Sequence, residues 1–451
     1  MRKVIVVGAG IAGLIAAFEV SRAGYSVCVF EASENCGGLV SSISLAGLKV
    51  DSGAESFAIT RPETLQFIHE IGLTHGLVYP ERSDARIYSD GEFYLIPHGM
   101  MGVPSDLLSD EVISILGVEV VHHALSLDSL PWNIEEEKTL GEIVEKRMGK
   151  DVVDKIVNPI TSGVHATDPY QLEMESLLPG LMEKARDLNS LSAAVKEMRG
   201  AASRPGSPVA GLAGGINQII SKLRSLLNDA GVEIFTNHQV SKVTFDQNWR
   251  VTVGEMIVSC DEVVVAVPPH VATDILSDMP AISERLAIIK PIDVALVFMA
   301  IKAQELKKAP LGSGVLVSEI GTQTVAKGST HASAKWKWVK DQVDAEVEVV
   351  RLSYGRNGEV SPDDEYLLKV AGEDLKQLYG LKSFELIDTQ LVRWPKSLIQ
   401  AKVGHRDNLE QINRALGQYP GLSLVGSAMS GNGIAGIISH TKKVMKGLTN
   451  V

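Results

Sequence analysis

Apolar positions in this chain follow two periods that change over at glycines and prolines. Val4 to Val7 form a short continuous apolar run. After a glycine turn the apolar residues from Ile11 to Val20 recur at helical spacing, and a second run, VCVF, ends at Glu31. The pattern predicts a strand, a helix and a second strand, one βαβ unit. Far along the chain, LSLVGSAMSGNGIAGIISHTKKVMKGL predicts a strand, a glycine-bearing turn and a helix. Between these ends, VAGLAGGINQIISKLRSLLNDAGVEIFTNHQVSKVTF, WRVTV and DEVVVAVPP predict a helix, a strand and a β-meander. Residues from about Ile282 to Leu391, including VALVFMAI, GSGVLVSE, EVEVVRLSYG and FELIDTQLVRW, predict sheet strands with one helix at DEYLLKVAGEDLKQLYGL. TLGEIVEKRMGKDVVDKIV and LLPGLMEKARDLNSLSAAVKEM carry the helical period, and SRPGSPVAG reads as a Gly/Pro-rich return linker.

One stretch fits neither period. NPITSGVHATDPYQL, Asn158 to Leu172, holds two prolines and a central glycine and carries no formal charge before Asp168. It is expected to be a loop inside an otherwise helical region.

Composition narrows the class. A chain of 451 residues that is 45% hydrophobic is long enough for about three domains with ample core. Its formal charge of -12 argues against a polyanion such as nucleic acid, while leaving room for a local basic pocket. Cys28, Cys36 and Cys260 have no metal-binding spacing, so no metal site is expected, and so sparse a set fits a reducing compartment. MRK followed by an apolar run resembles a secretory leader, but the glycines at 8, 10 and 13 and the lack of a small-residue cleavage site oppose that reading. No window reaches about 18 consecutive apolar residues, so a membrane span is not expected. The expected location is cytoplasmic, with peripheral contact at the inner face of the membrane left open.

The first turn carries candidate chemistry. Gly8, Ala9, Gly10, Ile11, Ala12 and Gly13 form a G-x-G-x-x-G between strand and helix, and Glu31 closes the second strand. In this arrangement Gly8 permits the tight turn, Gly10 lets the backbone approach a pyrophosphate, and Gly13 lets helix and strand pack closely. The acid is placed to accept hydrogen bonds from ribose hydroxyls. Alone, the fingerprint does not separate FAD from NAD.

EASENCGGLVSS, DSGAESF, ARIYSDGEFYLIP and NPITSGVHATDPYQLEMESLLPGL together resemble the FAD-dependent protoporphyrinogen and coproporphyrinogen III oxidase family, within the amine-oxidase-like flavoproteins. EASENCGGLVSS places Ala32, Gly37, Gly38 and Leu39 where that superfamily has its second pyrophosphate-contacting turn. DSGAESF, with Gly53, Ala54, Glu55 and Ser56, resembles a segment beside the flavin ring. ARIYSDGEFYLIP resembles the hairpin R-Y-I-x-x-x-G-x-x-x-x-x-P, and NPITSGVHATDPYQLEMESLLPGL resembles P-x-x-x-G-V-x-A-x-D-P-x-x-L-S-x-x-x-x-x-P. The resemblance covers nearly the whole chain.

It implies a discontinuous α/β, Rossmann-like FAD domain (residues 1–60, 205–275 and 392–451), an α+β substrate domain (61–84 and 282–391) and a mainly helical middle domain (85–204) that walls the cavity. FAD would bind non-covalently, with a backbone contact to adenine at Val240 and closing contacts from Trp394, Gly433, Ile434 and Ala435. Arg86 is expected to pair with a substrate propionate, Gly163 to let a flat macrocycle approach, and His165 to line the cavity as a candidate base. The flavin would do the chemistry, so no residue is expected to be catalytic in its own right. The implied reaction is oxidation of coproporphyrinogen III to coproporphyrin III in haem biosynthesis, with O2 as acceptor and product handed to a ferrochelatase. Protoporphyrinogen IX is the alternative substrate. An amine oxidase and a low-turnover porphyrin- or flavin-binding partner are further alternatives. The chain departs from the pattern at Asn35 and Leu39, where basic residues are usual, and at Ser397, Ile399, Ala401, Asn432 and Ala435.

Overall fold

The computed structural model describes residues 2–81, 84–202, 208–319 and 322–449. Residues 203–207 of the expected linker lie outside them. At the start, β1 (Lys3–Val7) and β2 (Ser26–Phe30) flank α1 (Ile11–Arg22). Both strands are continuous apolar runs because α1 and the strands beside them leave little of either exposed. Ile11 to Phe18 of α1 are all buried, as suits a helix enclosed on every side.

The hairpin of β3 (Arg86–Ser89) and β4 (Glu92–Leu95) turns at Asp90 and Gly91, both at positive φ. A helical region follows, and within it the expected loop is largely helix: α2 spans Asn158–His165. Pro159 lacks the N–H that would continue the ladder. The chain absorbs this with a π-helical stretch at Val153–Val157, directly before α2. Ala166, in the left-handed region, ends the helix.

Next come α3 (Gln218–Asp229), β5 (Glu233–Phe235) and β6 (Glu262–Val265). The strands β7 (Ile292–Lys302), β8 (Gly314–Val317), β9 (Gly328–His331) and β10 (Val347–Tyr354) precede α4 (Asp364–Tyr379) and β11 (Glu385–Leu398). The chain returns through α5 (His405–Leu416), β12 (Leu422–Leu424) and α6 (Ile434–Thr449).

Two sheets organise these elements. A parallel sheet has the order β5-β2-β1-β6-β12, so the two ends of the chain share one layer. Ile437, Ile438 and Met445 of α6 join Leu14, Ile15 and Phe18 of α1 in one core. The second sheet runs β11-β7-β10-β9-β8-β3-β4. Along β7, Ala295, Val297 and Met299 pack under α4, while Leu296, Phe298 and Ala300 pack with Leu45, Leu48 and Val50 on the other face.

The hairpin β3-β4, expected in the middle domain, is instead the edge of the second sheet, with β3 running parallel to β8. Its neighbour is remote in the chain, which is why sequence proximity assigned it wrongly. The helix Pro280–Ile288, expected to open the substrate domain, contributes Ile282 and Leu286 to the core beneath β1 and β6. Phe67 and Ile68 likewise belong to the core around α1.

Candidate functional site

The glycine turn has the geometry that an anion requires. Gly8, at φ 98°, donates its N–H to Phe30 O at 2.7 Å. A Cβ at Gly13 would stand 1.9 Å from Gly8 O, so α1 seats on the turn only without a side chain there. Gly10 differs: no protein atom lies within 4 Å of where its Cβ would point. Gly10 also precedes α1 with no side-chain cap, leaving the amides of the first turn available to an anion.

The second turn lies against the first. Gly37 donates to Ala9 O at 2.9 Å, and a Cβ at Gly38 would approach Gly10 Cα at 3.6 Å. Glu31 accepts from Ala9 N–H at 2.7 Å and from Ser33 N–H at 2.8 Å, so its carboxylate also fixes the turn. His238 N–H donates to Glu31 O, drawing the approach to Val240 alongside Ala32. Val240 itself is buried and pairs with Val253. Ala12 packs near Gly426, and Gly433 sits exposed beside buried Ile434 and Ala435 at the start of α6. An uncapped helix start, open room at Gly10 and a second glycine turn beside it fit a dinucleotide pyrophosphate.

The segment from Gly53 to Ser56 continues this surface. A Cβ at Gly53 would meet Leu39 O at 2.4 Å, and Trp394 Nε1 donates to Ser52 O at 2.8 Å. Arg351 of β10 donates to Gly53 O at 2.8 Å. Glu55 pairs with Lys335 at 2.6 Å and lies 3.8 Å from Arg351. Burial alone would push the Glu55 carboxyl up, but Arg351 and Lys335 outweigh it and hold the group at about 2. Exposed Ala54 and half-buried Ser56 flank it. The sequence reading missed Arg351 and Lys335. A single arginine inside the apolar strand EVEVVRLSYG was the available signal for the first.

Helix α2, the expected wall, packs against β8 of the second sheet. A Cβ at Gly163 would meet the Leu316 side chain at 2.6 Å, so this glycine makes room for β8. Lys327, 3% exposed, donates to Gly163 O at 3.1 Å. Arg356 reaches Ser162 Oγ at 3.5 Å and the carbonyls of Val317 and Ala326. Burial, and then the charge of Lys327, push the His165 imidazole down to about 4. Near neutral pH it is therefore an uncharged ring and a weak base. Gln400 donates to Ala166 O at 3.1 Å and also bonds Thr167, tying the end of α2 to the segment after β11.

Arg86 is not brought to this wall. Its register partner on β8 is Val315, opposite Ser329 of β9, which faces Leu352 of β10. Val315 and Leu352 lie in the core under α4, and Ser329 Oγ is bonded to Tyr379 of that helix. Ile87, on the other face, packs into the helical region. The hairpin motif spaces its arginine six residues before the glycine, whereas Arg86 stands five before Gly91. A slip of one residue on a strand turns the side chain to the opposite face.

Residues 11–439 match the model of the flavin containing amine oxidoreductase family. The chain belongs to that family. A coproporphyrinogen III oxidase of Staphylococcus aureus (strain NCTC 8325 / PS 47) is 24% identical, with 98% of this chain and 97% of the relative covered. One from Mycobacterium leprae (strain TN) is 28% identical over 99% and 98%. Among solved structures, a candidate protoporphyrinogen oxidase from Exiguobacterium sp. 255-15 superimposes with a TM-score of 0.86 at 25% identity, covering 100% of this chain and 99% of that one. Cyclohexylamine oxidase from Brevibacterium oxydans IH-35A shares the fold, with a TM-score of 0.68 and 16% identity.

Family membership makes this a flavoprotein, and two of its departures prove to be partners. Asn432 Oδ1 accepts from Ile399 N–H at 2.8 Å, and Asn432 Nδ2 donates to Ile399 O at 2.6 Å. Ser397 Oγ donates to Trp394 O at 2.9 Å, and Ala401 O accepts from Glu173 N–H at 2.8 Å. The closing segment is thus held by these bonds at the positions that depart from the motif. Among the described residues, no helix is long and apolar enough to cross a membrane.

Proposed function

We propose that this protein is an FAD-dependent oxidase that converts coproporphyrinogen III to coproporphyrin III in haem biosynthesis, with O2 as terminal acceptor. The observation that carries the reading is end-to-end similarity to coproporphyrinogen III oxidases, with 96 to 99% of this chain covered in the Staphylococcus, Bacillus and Mycobacterium relatives. Three O2 accept six electrons and six protons from the porphyrinogen and leave as three hydrogen peroxide. FAD, when bound, supplies the two-electron acceptor for each round.

The chain's own residues do the holding. Gly8 to Gly13 with Gly37 and Gly38 receive the pyrophosphate, and the Glu55–Lys335–Arg351 cluster fixes the strip from Ser52 to Ser56 on which the ring would rest. Helix α2 with its cations forms the wall facing the macrocycle. Neutral His165 can line that wall without adding charge. Protoporphyrinogen IX is the second reading, favoured by partial similarity to an Arabidopsis thaliana protoporphyrinogen oxidase over 42% of the chain. Hand-off of product to a ferrochelatase and a peripheral membrane contact belong to the same proposal, and co-sedimentation with anionic vesicles tests the second.

The deciding assay incubates the FAD-loaded protein aerobically with coproporphyrinogen III and, separately, protoporphyrinogen IX, following porphyrin fluorescence against flavin-free protein. Faster growth with the first supports the proposal, and growth only with the second transfers it to the other substrate. No growth with either would overturn it in favour of a binding role.

A further inference from the structure

We propose that Lys327 is the cation that receives a carboxylate substituent of the substrate, at the inner wall where α2 meets the start of β9. The inference rests on the porphyrinogen reading for the identity of the ligand, while the site is defined by this chain's own residues. An ammonium group has three donors. Lys327 spends one on Gly163 O, is almost wholly buried, and has no carboxylate within 4.0 Å among the described residues. A buried charge is costly unless it is paired.

The acids nearby are already engaged by other cations. Glu55 is held by Lys335 and Arg351, and Glu319 lies 3.8 Å from Arg356. What surrounds Lys327 is positive or neutral: Arg356, Arg351 and the His165 ring. Burial, and then the two arginines, hold its ammonium down at about 8. An arriving anion would relieve that repulsion. Capping the last turn of α2 does not by itself explain a charge there, because any neutral donor could bond Gly163 O without the penalty of a buried ammonium.

Two further observations set direction and ligand class. Arg86 lies on the opposite face of the sheet, so the hairpin brings no cation to this wall. Arg351, one of the cations that repels Lys327, also bonds Gly53 on the strip assigned to the flavin, so one arginine links Lys327 electrostatically to that strip. A lysine is a point charge on a flexible stem, suited to a carboxylate on a short mobile arm rather than to a rigid bidentate anion.

The test measures equilibrium binding of coproporphyrin III and of its uncharged tetra-amide to FAD-loaded protein, by porphyrin fluorescence. Lys327→Gln keeps a donor for Gly163 O and removes the charge. It should weaken the tetra-acid roughly 10- to 100-fold, as loss of one charge-assisted hydrogen bond does, and leave the amide and the flavin spectrum unchanged. Lys327→Met should give the same ligand pattern with a lower melting temperature. Equal weakening of acid and amide, or none of either, overturns the inference. Wild-type protein that binds neither porphyrin overturns the substrate reading and this inference together. Wild-type binding with an unchanged Lys327→Gln variant overturns this inference alone.

Discussion

Gly10 and Gly13 share one turn yet are glycines for different reasons, and mutation should separate them. Gly13 has a backbone oxygen 1.9 Å from its missing Cβ, so Gly13→Ala should displace α1 and destabilise the protein by roughly 3 kcal/mol or more. Gly10, at φ -68°, has open space there. Gly10→Val should fold, melt near flavin-free wild type and purify without flavin, so retention of a full flavin spectrum would refute the placement of the pyrophosphate. Both roles could be read from the spacing, because strand, turn and helix are local. Lys327, Arg351 and Lys335 could not, since a cation's value depends on neighbours contributed by distant strands.

Glu55 makes the point with a pH dependence. Its carboxyl titrates at about 2 in the fold against an ordinary 4.5. The unfolded chain therefore takes up the proton first as pH falls. The stability contributed by Glu55 is complete above about 4.5 and is lost as the pH drops toward 2. Glu55→Gln should flatten that limb of the stability profile in urea titrations. It should also cost roughly 3 kcal/mol at pH 7, because two cations lose their partner. A wild-type slope below pH 4.5 would remove Glu55 from the account.

Among the elements, the two misplaced by sequence show what the pattern lacks. Residues 158–165 read as a loop because Pro159 breaks the local rule, yet the π-helical stretch before it lets the helix continue. The hairpin at 86–95 was legible as two strands but not as the edge of a particular sheet, because its partner is remote in the chain. Helix α5 shows the same dependence. The amides of Gly404, just before the helix, and of Arg406 in its first turn are capped by Glu173, which comes from the middle region. Glu173→Ala should therefore cost about 1–2 kcal/mol, as loss of a cap does. A melting temperature lower by a few degrees would register it, and an unchanged value would show the cap to be replaced by water.

For the whole molecule, the strand order β5-β2-β1-β6-β12 gathers three distant stretches into one sheet. That the first and last segments both belong to one flavin domain was legible from their resemblance, but which strand lies beside which is set by the tertiary pairing of the sheet. FAD at a hundred times its dissociation constant should stabilise the protein by about 2.7 kcal/mol. In hydrogen exchange it should protect residues 8–13, 36–39 and 431–437 together. Protection confined to the first stretch would contradict the shared site. The position of β12 also bears on synthesis. A ribosome that has delivered every residue up to Gly421 has made a parallel sheet without its edge strand and an α1 without α6 against it. The segment that brings Gly426 beside Ala12 is still missing at that stage. Cofactor capture is therefore expected to follow synthesis of this segment, and a chain cut short before Leu422 is expected to purify without flavin.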